Sequence, residues 1–227
     1  MSSVDEATLR EGAAKLGLTL DDRQCDRLLS YGALILKWNR VYNLTALRDP
    51  ALVLTHHLLD SLSVIAPLQR QCPAFAKTKR RLLDVGAGAG LPGVVIAILR
   101  DDFDVTCVDA VAKKAAFIQQ VAVELKLPNL CGLHARVESL SGSYDIVSCR
   151  AFASLADFYR GSLQLLDEDG LWLAMKGKLP EAEIASLQDL VSLKRGIDVF
   201  HVEHLQVPGL GAERCIVWAR KTDYEAA

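Results

Sequence analysis

Apolar and polar positions divide the chain into two parts with different periodicities. In the first 70 residues the apolar side chains recur at helical spacing, as in the run Leu28, Tyr31, Leu34, Ile35 and Trp38. Acidic residues precede two such stretches, at Asp21 and at Asp49, and Pro50 follows the second at a position suited to a first helical turn. The pattern predicts helix throughout this part.

From Arg81 onward, short apolar runs alternate with amphipathic stretches. Seven runs predict strands: "RLLDV", "DVTCVD", "LCGLHA", "YDIVSC", "LWLAMK", "DVFHVEHL" and "CIVWAR". Helical stretches are expected between the first five, notably "AKKAAFIQQVAVELK" and "SLADFYRGSLQLL". This alternation predicts an α/β fold, a doubly wound, Rossmann-like, mostly parallel sheet. The last two runs are separated only by "QVPGLGAE", which is too short for a crossover, so they should form an antiparallel pair at one edge.

Composition fits one sizeable domain with an appendage. The chain has 227 residues, of which 51% are hydrophobic and 24% charged. We expect an N-terminal helical region over residues 1–78 and a ligand-binding domain over residues 79–227. Because the N-terminus carries acids and no stretch approaches about 18 uninterrupted apolar residues, we expect a cytoplasmic protein that does not bind membranes. The six cysteines show neither a C-x-x-C pair nor zinc-ligand spacing, so neither disulfides nor a metal is expected.

The charge distribution bears on partners. A net charge of -2 disfavours a protein that coats nucleic acid by counterion release alone. The first 80 residues nevertheless contain 11 Lys and Arg against 8 Asp and Glu. The basic stretch "KTKRR", with Lys77, Lys79, Arg80 and Arg81, is either a solvated run before a strand or a patch that faces phosphates.

The stretch "RRLLDVGAGAGLPG", residues 80–93, can be read in two frames. Gly88, Gly90 and Gly93 spell the dinucleotide fingerprint G-x-G-x-x-G. That fingerprint requires its first glycine directly at the strand end. If the strand ends at Val85, the third required glycine falls on Leu91, and the fingerprint fails.

The other frame places Asp84 at the strand tip and an open glycine turn behind it. Asp109, at the end of the second strand and 19 residues after Gly90, is spaced as a ribose-binding carboxylate would be. The two features together favour S-adenosylmethionine over a nicotinamide cofactor. A tight turn without a ligand and a nicotinamide oxidoreductase remain the alternatives.

Six stretches, including the glycine turn, resemble a known family. "KWNRVYNLTALRDP", "HHLLDSL", "LLDVGAGAGLPG", "SCRAFASL", "LWLAMKG" and "LQVPGLGAERCIVWARK" look like the bacterial small-subunit ribosomal RNA guanine-N7 methyltransferase G family, formerly glucose-inhibited division protein B. The resemblance extends from about Leu18 to Lys221. It implies a class I methyltransferase domain that transfers methyl from S-adenosylmethionine to N7 of one guanine, position 527 in the 530 loop of 16S rRNA. S-adenosylhomocysteine would be the other product, and the enzyme is expected to be a monomer that acts on the small ribosomal subunit.

The resemblance also implies site residues. The cofactor pocket would contain Gly86, Gly88, Leu91, Val137, Glu138 and Arg150, and we add Asp109 at the ribose. Arg150 is also the candidate catalytic residue, because an arginine at that strand end could hold the cofactor carboxylate or contact guanine O6. Candidate RNA phosphate contacts are Lys176, Arg214 and, more weakly, Arg136, and Phe152 could stack on a base.

Several residues allow more than one interpretation. Guanine N7 has no proton, so the reaction needs no general base, and catalysis would depend on alignment. Cys149 could be a nucleophile, but packing is the favoured interpretation. His56, His57 and Asp60 have helical spacing that suggests a metal site, although we favour docking of the N-terminal helices on the sheet. A small-molecule methyltransferase would share the cofactor half of the site.

Overall fold

Seven strands form one mixed sheet at the centre of the protein, in a computed structural model that describes residues 3–73, 79–152, 154–187 and 196–222. The spatial order is β3-β2-β1-β4-β5-β7-β6. The first five strands are mutually parallel, and β7 is antiparallel to both β5 and β6. The strands are β1 (Arg80–Val85), β2 (Phe103–Asp109), β3 (Leu130–His134), β4 (Tyr144–Arg150), β5 (Leu166–Lys176), β6 (Gly196–Leu205) and β7 (Arg214–Thr222).

The sheet confirms the predicted strands and the antiparallel pair at one edge. Strand order reverses between β1 and β4, where one half of the sheet is wound outward through β2 and β3 and the other through β5. In doubly wound sheets the carboxyl ends of the strands at this switch point form the ligand crevice. The crevice is therefore expected at residues that follow β1 and β4.

The second N-terminal helix begins where the acidic residues predicted. Helix α1 spans Ser3–Lys15, and α2 spans Asp22–Tyr42 with Asp21 in a capping box. The prediction of helix throughout is wrong for the two connections, because Gly17 and Asn43 adopt positive φ angles of 75° and 50°. Left-handed residues at these positions end the helices.

A third helical stretch covers Pro50–Gln71 and is capped by Asp49, as predicted. Within the described residues it is the one helix long and apolar enough to cross a membrane, but 72% of its apolar window is buried inside the protein, as in a core helix. The stretch contains a π-helical segment, which separates α3 from the helices that follow. Its parts are α3 (Pro50–Val53), the π segment Leu54–Leu59, α4 (Asp60–Leu62) and α5 (Ile65–Gln71).

The remaining helices cover the sheet. The predicted helix between β3 and β4 is wrong: only a 3-10 turn, Val137–Ser139, lies there. The nine residues between His134 and Tyr144 are too few for a crossover helix of ordinary length. The helices are α6 (Gly93–Leu99), α7 (Ala112–Glu124), α8 (Leu155–Ser162), followed by the 3-10 turn Leu163–Leu165, and α9 (Glu181–Ser186).

Two hydrophobic clusters fill the two faces of the sheet. The larger joins the N-terminal helices to α6, α7 and the first face, and the smaller packs α8 on the second. Tyr31 of α2 shows the close docking, because its ring lies 6.5 Å from that of Phe117 and its hydroxyl donates to the carbonyl of Ala89 at 2.6 Å. The N-terminal region therefore shares its core with the sheet.

Candidate active site

The glycine turn follows β1 at the switch point, as the second reading frame predicted. β1 ends at Val85, and Gly86, Gly88 and Gly90 all adopt positive φ angles, of 63°, 61° and 90°. Only glycine adopts this backbone readily. The turn is held by Ala87, whose carbonyl accepts from the amides of Gly90 and Leu91.

Asp84 fixes the base of this turn from inside the protein. Its carboxylate is fully buried and accepts hydrogen bonds from the Gly93 amide and the Ser148 hydroxyl, each at 2.9 Å. Burial raises the pKa of Asp84 to about 6, although the two hydrogen bonds and Arg150 act in the opposite direction. Asp84 therefore connects β1, β4 and the start of α6 and does not face a ligand.

The glycines of the turn have different packing. A Cβ on Gly90 would lie 2.5 Å from Val94 Cγ2, and one on Gly93 would lie 2.4 Å from Cys107 Sγ. A Cβ on Gly88 would meet nothing closer than the Gly86 oxygen at 4.0 Å. Gly90 and Gly93 thus permit close internal packing, whereas Gly88 leaves open space beside the backbone. This space fits a ligand that lies against the turn.

Asp109 ends β2 beside this open segment. Its Oδ2 accepts from the Gly88 amide and its Oδ1 from the Val111 amide, both at 2.9 Å. Lys114 lies 3.7 Å from Oδ2. The carboxylate therefore holds the glycine turn in place, and each oxygen can still accept a further hydrogen bond. Its contact with a ribose stays a prediction.

The other predicted cofactor residues lie around the same strand ends. Leu91 and Val137 have buried side chains, so their contact with a ligand would come mainly from the backbone. Glu138 is exposed in the 3-10 turn after β3. The Phe152 ring lies 3.6 Å from the Cβ position of Gly86 and so covers one side of the turn.

A cavity of about 380 Å³ adjoins the end of β4, next to the glycine turn. We call it the Arg150 pocket. It lies between the third helical stretch and the ends of β4, β5 and β7. Its lining consists of Leu47, His56, His57, Asp60, Arg150, Ala151, Met175, Lys176, Gly177 and Arg214.

Asp60 organises the charges of this pocket. Its side chain is 3% exposed, and its two oxygens accept from Arg150 Nη1 at 2.9 Å and Arg214 Nε at 2.8 Å. Arg150 Nη1 also donates to the carbonyl of His56 at 3.0 Å. The predicted docking of the "HHLLDS" segment on the sheet is confirmed by these contacts, and both arginines are fixed in orientation.

His57, which also lines the Arg150 pocket, is held by Thr45. Its Nε2 lies 2.8 Å from Thr45 Oγ1, and the Thr45 amide donates to Asn39 Oδ1 at 2.9 Å. Burial and the neighbouring Arg150 lower the pKa of His57 to about 4, so the ring is neutral at physiological pH. Sequence reasoning assigned no role to Asn39 and Thr45, although both lie in the "KWNRVYNLTALRDP" stretch that resembles the family.

The three predicted phosphate contacts differ in environment. Lys176 pairs with Glu183 at 2.9 Å and Arg214 with Asp60, and both line the pocket, so they are not isolated surface cations. Arg136 is exposed at the 3-10 turn. Contact of these three residues with RNA stays a prediction.

Three alternative interpretations of the sequence lose support. Cys149 is fully buried, and burial raises the pKa of its thiol well above the usual value, which supports packing. The described part of "KTKRR", residues 79–81, lies at the amino end of β1, opposite the site, and Lys77 lies outside the described residues. Among the described residues no group of three or more His, Cys, Asp or Glu side chains could hold a metal ion.

Comparison with known proteins gives consistent matches. Residues 24–214 match the family described as rRNA small subunit methyltransferase G. Two proteins named ribosomal RNA small subunit methyltransferase G are 60% and 59% identical. The first, from Albidiferax ferrireducens, matches over 96% of this chain and 97% of its own. The second, from an Acidovorax species, matches over 95% of each. A crystal structure of a SAM-dependent methyltransferase from Aquifex aeolicus has a similar fold, with a TM-score of 0.55 and 18% identity, covering 78% of this chain and 96% of that one.

Proposed function

The chain belongs to the rRNA small subunit methyltransferase G family, and from this premise we propose that the cleft at the glycine turn binds S-adenosylmethionine and the Arg150 pocket receives the target guanine. The protein is an S-adenosylmethionine-dependent methyltransferase of 16S rRNA that modifies guanine N7. The residue assignments below are our proposal.

One observation carries the placement of the two sites. β1 and β4 are parallel neighbours in which Val85 pairs with Cys149, so Gly86, the first residue after β1, lies beside Arg150, the last residue of β4. Neighbouring strands are about 4.8 Å apart. A ligand on the glycine turn and a base in the Arg150 pocket would therefore be adjacent.

The open space at Gly88 and the carboxylate of Asp109 suit the cofactor. Asp109 would accept from ribose hydroxyls, and the exposed Glu138 and the backbone of Val137 would border the adenine. When bound, S-adenosylmethionine supplies an electrophilic methyl group on a sulfonium.

The Arg150 pocket suits a guanine that reacts at N7. Arg150 and Arg214, fixed by Asp60, offer N–H donors to O6, which is an acceptor. A donor aimed at N7 would block the nucleophile, so the arginines should orient the base through O6. With its pKa lowered to about 4, His57 is a weak base, in agreement with a reaction that transfers no proton. We also propose that the enzyme works as a cytoplasmic monomer without a membrane, with a functional boundary between residues 78 and 79.

The experiment uses small ribosomal subunits that lack the modification, labelled S-adenosylmethionine and the whole protein. We expect label in one guanine of 16S rRNA, which becomes cleavable after borohydride and aniline. Arg150→Ala should lose most transfer while it retains the fold, and Arg150→Lys should not restore it, because one lysine ammonium cannot reproduce the fixed planar fork. Asp109→Ala should weaken S-adenosylmethionine by about 1.5–3 kcal/mol in calorimetry.

Label at a position that resists this cleavage would refute N7 methylation. Normal transfer by Arg150→Ala would remove that residue from the site and leave the reaction assignment intact.

A further inference from the structure

A second opening lies on the other side of the loop that walls the Arg150 pocket. It is a cavity of about 450 Å³ lined by Leu36, Asn39, Arg40, Arg48 and Pro50. A neighbouring cavity shares Leu36, Arg40 and Pro50 and adds Lys37 to its lining. We define the basic groove by Lys37, Arg40 and Arg48 over the floor formed by Leu36 and Pro50.

The cations of the groove are available to a ligand. Arg40, Lys37 and Arg48 are exposed. In the part of the chain that the structure describes, none of the three forms a salt bridge with a carboxylate, and Arg48 has only a 3.4 Å contact with the side chain of Asn43. Asp5 lines the neighbouring cavity, and Asp49, which follows Arg48 in the sequence, is engaged as a helix cap. The groove keeps an excess of positive charge.

The cations of the groove come from one face of α2 and from the loop that follows it. Basic side chains that line a groove are the usual means by which a protein follows a nucleic-acid backbone.

The groove is connected to the Arg150 pocket by hydrogen bonds. Asn39 lines the groove, and its side chain donates to the carbonyl of Leu47 at 2.8 Å and accepts from the amide of Thr45. Leu47 and His57, the partner of Thr45, line the Arg150 pocket. The loop 43–49 is thus a thin, fixed wall between the two openings.

We propose that the basic groove binds the phosphodiester backbone of the rRNA strand that flanks the target guanine. This inference rests on the proposed function, because a guanine inserted in the Arg150 pocket forces its flanking nucleotides to cross the rim of the pocket. The loop 43–49 directs one flank toward Arg40 and Arg48. The site would bind backbone phosphates and would contribute to affinity without reading the base sequence.

The test compares Arg40→Ala/Arg48→Ala with a control, Arg23→Ala. Arg23 is exposed on the same helix, about 25 Å from Arg40 at 1.5 Å per residue. Binding to deproteinised 16S rRNA and to small subunits is measured against salt concentration. The double variant should raise KM for the RNA on the order of tenfold. It should reduce the slope of log affinity against log salt by about 1.4, because two cations no longer neutralise phosphates of a single strand. Its S-adenosylmethionine affinity and its rate at saturating RNA should match wild type, as should every property of Arg23→Ala.

Two outcomes of these RNA-binding measurements would overturn the inference. Unchanged RNA affinity and salt slope in the double variant would overturn the inference. A decrease in affinity seen with small subunits but not with deproteinised rRNA would also overturn it, because the groove would then contact a ribosomal protein. If the double variant fails to bind S-adenosylmethionine, the single variant Arg40→Gln replaces it as the test. Failure of the wild-type protein to methylate guanine N7 would refute the proposed function. This is measured by methyl transfer, whereas the groove is tested by RNA affinity and its salt dependence.

Discussion

Asp84 illustrates how one buried side chain serves the site without touching a ligand. The residue was identified from its place before the glycines, but its partners, Gly93 and Ser148, are 9 and 64 positions away in the sequence. Its carboxylate is charged at neutral pH in spite of complete burial, because the two hydrogen bonds and Arg150 partly compensate for lost hydration. Charge at this position therefore costs stability.

The first prediction concerns this cost. The pKa of Asp84 is about 6 in the folded protein against an ordinary value of 3.8. The folded state thus binds more protons than the unfolded state between these values, and stability falls as pH rises through this window. The change amounts to about 3 kcal/mol at 1.36 kcal/mol for each pH unit.

Asp84→Asn removes this dependence, because its amide can accept from Gly93 and donate to Ser148. Urea unfolding of both proteins from pH 4 to pH 7 should show the variant gaining about 2 kcal/mol relative to wild type as pH rises, since this range covers most of the window. Other titrating groups cancel in the difference. A difference that does not vary with pH would contradict the raised pKa.

At the scale of elements, the glycine turn combines two functions in neighbouring residues. Gly93 allows α6 to begin directly against Cys107 and Asp84, whereas Gly88 leaves open space where the cofactor is proposed. The three glycines with positive φ follow one another at every second position, and this turn is closed by its own amides, because those of Gly90 and Leu91 donate to Ala87 and that of Gly88 donates to Asp109.

The second prediction separates these functions by substitution. Gly88→Ala puts a methyl group into the proposed cofactor space and a non-glycine residue at a left-handed position, which costs about 1–2 kcal/mol. The loss of binding free energy for S-adenosylmethionine should exceed the loss of free energy of unfolding. Gly93→Ala, with its Cβ 2.4 Å from Cys107 Sγ, should do the reverse. Calorimetry and thermal unfolding measure the two effects, and equal loss of affinity in both variants would argue against ligand approach at Gly88.

At the scale of the whole molecule, the N-terminal helices are part of the site. Asp60 fixes Arg150 and Arg214 from the third helical stretch, and Tyr31 of α2 holds the glycine turn through the carbonyl of Ala89. The cofactor cleft and the Arg150 pocket therefore depend on docking of the helices against the sheet.

The third prediction tests this connection. Tyr31→Phe leaves the buried Ala89 carbonyl without its donor and should destabilise the protein by about 1–3 kcal/mol, with weaker S-adenosylmethionine binding. Tyr159→Phe is the matched control, because the Tyr159 hydroxyl is buried without a hydrogen-bond partner in the described structure. The control should be neutral or stabilising. The connection would be disproved if Tyr31→Phe bound the cofactor as wild type does.

The secondary structure and the family can be recognised from the amino-acid sequence alone. Helical and alternating periodicities located the strands and most helices, since burial on one face is a local pattern. The strand that ends at Val85 selected the reading frame of the glycines, and six stretches along the chain identified the methyltransferase family. The helix expected between β3 and β4 was wrong because so short a connection was assigned by analogy with its neighbours.

The long-range ion pairs and the binding surfaces arise only when the separate elements pack together. Asp60 meets Arg150 and Arg214 across 90 and 154 positions, and no local spacing encodes a contact between residues that only the packing of separate elements brings together. The basic groove depends in the same way on where the loop 43–49 folds against α2. The lowered pKa of His57 and the raised pKa of Asp84 also follow from burial, which is a property of the assembled core and not of the residue type.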